Sequence, residues 1–157
     1  MVALGVERFV IRMNNRKVLN GLLEKYDLMD KSTLVLRSLD KLPKIGREKV
    51  IAEMVSVAET TEDQANKILA LAEIAGDWES VLQQLTELVA GSETGEQGVS
   101  QLRDVMSGAL AAGVLPERLE LDVSIARGLD YYTGTIVETF LGAVSYTHLT
   151  LPTICSV

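Results

Sequence analysis

Two spacings of apolar residues take turns along the 157 residues. Val6 to Met13 set Phe9, Ile11 and Met13 against Arg8 and Arg12, the two-residue period of a strand with one buried face. Asn14 and Asn15 follow as a turn or helix cap. Val18, Leu19, Leu22, Leu23 and Tyr26 then recur at three and four residues, which predicts an amphipathic helix. A second helix is predicted over Ser32 to Leu42, capped by Ser32 and stopped at Pro43, because proline disfavours helical backbone in the residue before it.

Three further helices are predicted by period and punctuation. Gly46 to Ala58 turns Val50, Ile51, Met54 and Val55 inward. Glu62 to Ala75 is preceded by Thr61 with Gln64 three residues on, a capping-box pattern, and is closed by Gly76 at the C′ position. Asp77 caps the third, which runs through Val81, Leu82, Leu85 and Leu88 to Gly91, with Trp78 beside its start as packing. Ser92 to Gly98 is expected to be a wet loop, since Gly95, Gly98, Glu93 and Glu96 fall there. A last helix, Val99 to Ala112, buries Leu102, Val105, Met106, Ala109 and Leu110 and stops at Gly113.

Beyond it the period returns to two. Leu119, Leu121, Val123 and Ile125 alternate with Arg118, Glu120, Asp122 and Ser124, and Tyr131 to Leu141 is rich in Thr, Tyr, Ile, Val and Phe. Both ends therefore read as β and the middle as α. An α+β fold is expected, in which a helical insertion interrupts a sheet whose strands meet again across it.

Composition narrows the class. Hydrophobic residues at 47% and a mean hydropathy of +0.19 exclude a disordered chain, and the length suits one domain. The longest stretch without Asp, Glu, Lys or Arg, Thr139 to Val157, is broken by Thr, Ser, His and Pro and does not read as a membrane span. No export signal is legible at the N-terminus, so a cytoplasmic protein is expected. A lone Cys155 and a lone His148 argue against disulfide and zinc chemistry. Net charge is −7 and pI about 4.8, which on average disfavours a nucleic-acid surface. The average hides an asymmetry: Met1 to Lys49 hold 11 Lys+Arg and 6 Asp+Glu, the remainder 4 and 16. Arg12, Arg16 and Lys17 are read as a solvated or inter-element face rather than a phosphate clamp.

The segment most able to carry chemistry is Ala126 to Glu138, ARGLDYYTGTIVE. An arginine at a strand end followed by glycine sets a guanidinium beside backbone that a ligand can approach closely. Residue types alone favour an ordinary strand and turn. The segment resembles the signature of histidyl-tRNA synthetases, a class II synthetase family. FVIRMNNRKVLNGLLE, Phe9 to Glu24, resembles the strand and helix after that family's second class motif. LRSLDKLPKIG, Leu36 to Gly46, resembles the entry to its helical insertion domain.

The resemblance implies a partial class II antiparallel active-site sheet with a helical insertion domain. It divides the chain into core residues 1–39, an insertion 40–113, and core strands 114–141 with the signature. It implies that Arg127 meets the α-phosphate of ATP and the histidine carboxylate during adenylate formation. Tyr131 and Tyr132 would border the histidine pocket, Gly128 and Leu129 would shape its floor, and Asp130 would anchor the turn. Histidine, ATP with Mg2+, and tRNA(His) are the implied substrates of the whole protein, with a homodimer as its assembly. The implied tRNA contact of the insertion should be weak, because residues 50–113 are acidic.

The family's first two class motifs do not precede Phe9, and its later segments do not follow Leu141. The chain is therefore expected to be an internal piece, inactive alone, with 142–157 a non-native tail in which His148 and Cys155 carry no function. A non-catalytic regulatory relative, such as the regulatory subunit of ATP phosphoribosyltransferase, resembles the same core and is the alternative. The phosphate-side arginine and the long insertion favour the synthetase.

Overall fold

Residues separated by more than a hundred positions lie side by side around one strand. That strand, β1 (Phe9–Asn15), is flanked by β2 (Leu119–Leu121) and β3 (Thr135–Leu141), and β4 (His148–Leu149) adds to the far side of β3, giving the order β2-β1-β3-β4. The computed structural model describes residues 9–125, 134–141 and 148–149. β1 and β3 are antiparallel, from Phe9↔Leu141 to Asn15↔Thr135. β4 pairs antiparallel with β3 at Thr139 and Phe140, whereas β2 joins β1 in parallel, Ile11↔Leu119 to Met13↔Leu121. The α+β expectation holds, with β1, β3 and β4 as its antiparallel part.

Between β1 and β2 the chain forms α1 (Arg16–Lys25), α2 (Ser32–Leu39), α3 (Leu42–Ile45), α4 (Arg47–Val57), α5 (Glu62–Ala72), α6 (Trp78–Val89) and α7 (Glu93–Ala111). Where local chemistry is decisive the sequence reading holds. Thr61 and Gln64 form both hydrogen bonds of the capping box, and Asp77 accepts from the Ser80 amide at the start of α6. Asn15 caps α1 by accepting from the Lys17 amide at 3.0 Å. Trp78 is half-buried against the core.

Several expectations need correction. Ser32 is already helical, because a 3-10 turn over Met29–Lys31 opens α2 and leaves no capping role for it. α2 stops at Leu39, and Pro43 instead sits in the first turn of α3, where a missing N–H leaves no helical bond unmade. α5 stops at Ala72 with Glu73 at its C-cap, so Gly76 lies in the connection beyond rather than at C′. Val55 and Val105 are 40% and 37% exposed, since the helices that would cover them pack on Val50, Met54, Leu102 and Met106 instead. The alternation after Leu119 also forms a shorter strand than predicted: Val123 is buried, but the ladder ends at Leu121.

The expected loop over Ser92 to Gly98 is the first two turns of α7, capped by Ser92, whose hydroxyl accepts from the Gly95 amide. Its glycines serve packing. A Cβ on Gly95 would lie 2.6 Å from Val89 Cβ, one on Gly98 2.7 Å from the Val18 amide nitrogen, and one on Gly21 2.4 Å from Gly95 Cα. α1 and α7 thus meet backbone to backbone, over a core that includes Leu22, Leu85, Leu102 and Met106.

Candidate functional site

The sheet has two chemically different faces. The two-residue period puts Ile11 and Met13 on the helix side with Leu119, Leu121 and Val137, all of which belong to the core or pack on it. Val10, Arg12, Asn14, Glu120, Glu138 and Phe140 share the other face. Glu120, Arg12 and Glu138 form one row across three strands. Arg12 donates to Glu120 at 3.1 Å and to Asp122 at 3.2 Å, and its guanidinium lies 4.6 Å from the Phe140 ring centroid. It braces neighbouring strands, which matches the inter-element reading of this residue. Glu138 is a buried carboxylate, 7% exposed. Lys17 reaches Gln97 on α7 at 3.3 Å, and Arg16 is largely buried at the start of α1.

Residues 14–16 do more than end a strand. The buried Asn14 side chain donates to the carbonyls of Val123 at 3.1 Å and Ile125 at 2.9 Å. Asn15, fully buried, donates from its side chain to Thr135 Oγ1 at 3.1 Å and to Gln101 Oε1 on α7 at 2.8 Å. The Arg16 amide donates to the Gly134 carbonyl at 3.2 Å. Ile125 and Gly134, which bracket residues 126–133, are therefore tied to the same end of β1. Sequence reading assigned Asn14 and Asn15 to a turn or cap and missed this role. The available signal was two adjacent amides at the end of a buried strand, which need internal partners.

Arg127, Gly128, Leu129, Asp130, Tyr131 and Tyr132 lie outside the described residues, as does Cys155. The residues on either side of this segment, Ile125 and Gly134, are the ones described. Among the described residues, no three His, Cys, Asp or Glu side chains come together to hold a metal ion. Nor is any helix among them long and apolar enough to cross a membrane.

Several charges of the helical region are paired. Lys41 donates to Glu53 and holds that carboxyl below its usual range. Asp63, one turn before Lys67 on α5, accepts from its ammonium and raises its pKa. Arg47 bridges Glu73 and Asn66. A cavity of about 550 Å³ lies between α6 and α7, lined by Trp78, Leu82, Thr86 and Arg103 among others. A second, of about 470 Å³, lies where Phe9 and Val10 meet Arg118 and Phe140.

The chain as a whole is similar to known proteins. The profile of one family, described as histidyl-tRNA synthetase, matches residues 1–147. A histidine–tRNA ligase of Rhodopirellula baltica is 57% identical over 139 residues, covering 88% of this chain and 31% of that protein. The crystal structure of histidyl-tRNA synthetase from Nostoc sp. PCC 7120 is 37% identical with a TM-score of 0.82, over 89% of this chain and 33% of that one. A structure described as an ATP phosphoribosyltransferase regulatory subunit/histidyl-tRNA synthetase from Bacillus halodurans C is 15% identical with a TM-score of 0.73. It covers 90% of this chain and 36% of its own, and the likeness is one of fold. The chain spans about a third of the length of the relatives it matches. Because the match takes in β1, the helices and the strands that return beside β1, the chain belongs to the histidyl-tRNA synthetase family.

Proposed function

We propose that this chain is part of a histidine–tRNA ligase, which activates histidine with ATP to histidyl-adenylate and transfers it to tRNA(His). The observation that carries this reading is the family match over residues 1–147, which takes in the segment ARGLDYYTGTIVE, together with 57% identity over 139 residues to a histidine–tRNA ligase. The likeness to the structure that also bears a regulatory-subunit description, at 15% identity, speaks to fold and not to activity. In this reading 1–39 and 114–141 are pieces of one catalytic core, 40–113 is the insertion and 142–157 a non-native tail. The pairing of β1 with both β2 and β3 supports joining the first two pieces.

The chemistry follows from charge. When the histidine carboxylate attacks the α-phosphorus, pyrophosphate leaves and negative charge builds on the phosphoryl oxygens. Arg127, placed there in advance, stabilises that transition state more than the ground state. Tyr131 and Tyr132 border the imidazole, a phenol oxygen pairing with a ring nitrogen while the rings supply apolar wall. Gly128 and Leu129 form the floor. A site that pairs the imidazole nitrogens rejects side chains that would leave its polar groups unmatched. Mg2+ enters with the nucleotide as part of the substrate, and the working protein is a cytoplasmic homodimer.

The test is histidine-dependent exchange of pyrophosphate into ATP by the full-length protein. Arg127→Ala should slow it by at least about 10²-fold with the fold retained, and a loss under about tenfold removes Arg127 from this role. Exchange by the 157-residue chain alone would overturn the reading of it as an incomplete piece.

A further inference from the structure

We propose that Asn14 is a positioning residue, whose side-chain amide sets the approach of the chain to residues 126–133 and so the placement of Arg127. This rests on the function proposed above and names a residue that it does not include.

β2 leaves the ladder after Leu121, and its last bond to β1 is the Asp122 amide to the Met13 carbonyl at 3.0 Å. The chain would then part from β1, yet the Asn14 amide nitrogen takes up the carbonyls of Val123 and Ile125. One side chain thereby replaces two rungs of a sheet. Its orientation is fixed by chemistry. Asn14 Oδ1 accepts from the Asn15 amide at 2.7 Å, and a flipped amide would set oxygen against two carbonyls. At 2% exposure water does not compete for these bonds.

The exit of the segment is held from the adjacent residues. Asn15 donates to Thr135 Oγ1, and the Arg16 amide donates to the Gly134 carbonyl. Entry and exit are therefore referenced to three consecutive residues, where β1 passes directly into α1. Groups that act on a transition state need placement to a fraction of an ångström. Asn14 supplies that reference from outside the segment.

The experiment uses Asn14→Ala and the isosteric Asn14→Asp in the full-length protein, the second retaining volume while turning a donor into an acceptor. Exchange activity is normalised to titrated active sites, with kcat and histidine KM resolved, and tryptic cleavage after Arg127 is followed beside cleavage after Lys67. Either variant should lower kcat/KM for histidine by about 10²-fold per active site, as expected for a misplacement of about 1 Å. Cleavage after Arg127 should accelerate by at least about tenfold while cleavage after Lys67 keeps its rate, the pattern of local rather than global opening. Per-site kinetics equal to the parent's, or equal acceleration at both bonds, overturns the positioning role. A parent protein without histidine-dependent exchange would instead overturn the proposed function, and the ratio of the two cleavages would still decide the role of Asn14.

Discussion

The crossing of α1 with α7 and the outer layer of α2, α4 and α5 are both helix packings, but they are held in different ways. At the inner crossing Gly21, Gly95 and Gly98 let backbones touch, so that no side chain larger than hydrogen fits. The outer layer buries Val50, Met54, Ile68 and Leu69 and is rimmed by part-exposed ion pairs: Lys41 with Glu53, Arg47 with Glu73, Lys31 with Glu59. Close-packed backbone has no alternative arrangement nearby, whereas exposed pairs are worth little and can be exchanged. The inner crossing also carries Gln101 to the buried Asn15 at the end of β1. α7 is thus the rigid link between the helical region and the sheet.

The strongest challenge to this contrast is Gly98→Ala. The new Cβ would meet the Val18 backbone nitrogen at 2.7 Å, which a rotamer change cannot relieve. A loss of about 3 kcal/mol in urea denaturation is expected, and a loss under about 0.5 kcal/mol would show that the crossing is loose. Gly108→Ala sharpens the same point on the same helix. Nothing lies within 4 Å of its would-be Cβ, so helix propensity alone acts and stability should rise by about 0.5–1 kcal/mol.

The smallest effect belongs to the outer rim. The Lys41 ammonium depresses the Glu53 pKa, so the pair stabilises the fold above the ordinary carboxylate range, and its contribution fades as pH falls through the depressed value. Glu53→Gln should therefore cost about 0.5 kcal/mol at pH 7, the scale of a solvent-screened pair. The difference from the parent should shrink through the acid range and vanish once pH has fallen through the depressed value. A penalty that persists in acid would assign the effect to the hydrogen bond that Glu53 accepts from Ser38 rather than to charge.

Legibility in the sequence followed the range of the interaction. The capping box at Thr61, the cap at Asp77 and the stop at Gly113 depend on residues a few positions apart, and the helices they punctuate lie close to where the pattern sets them. Gly95 and Gly98 were misread because a glycine that frees a loop and one that admits a neighbouring helix are identical in a string of residues. Ser32 and Pro43 mark the ends of α2 less closely, since Ser32 is its first helical residue rather than its cap and Pro43 opens α3 after α2 has ended at Leu39. For the proposed site, the segment bearing Arg127 was conspicuous by its residue types, while Asn14 was not, since its partners are 109 and 111 residues away.

What the chain determined by itself was the alternation of β, α and β, the caps, and an acidic helical region unsuited to broad phosphate contact. Those properties arise from period, backbone preference and net charge, all of which are local or additive. Tertiary structure alone decided that β1 stands between β2 and β3, that α7 presses its glycines on α1, and that two asparagines tie down both ends of residues 126–133. Each of those requires distant segments to approach within hydrogen-bonding or contact distance, which depends on how every intervening helix packs.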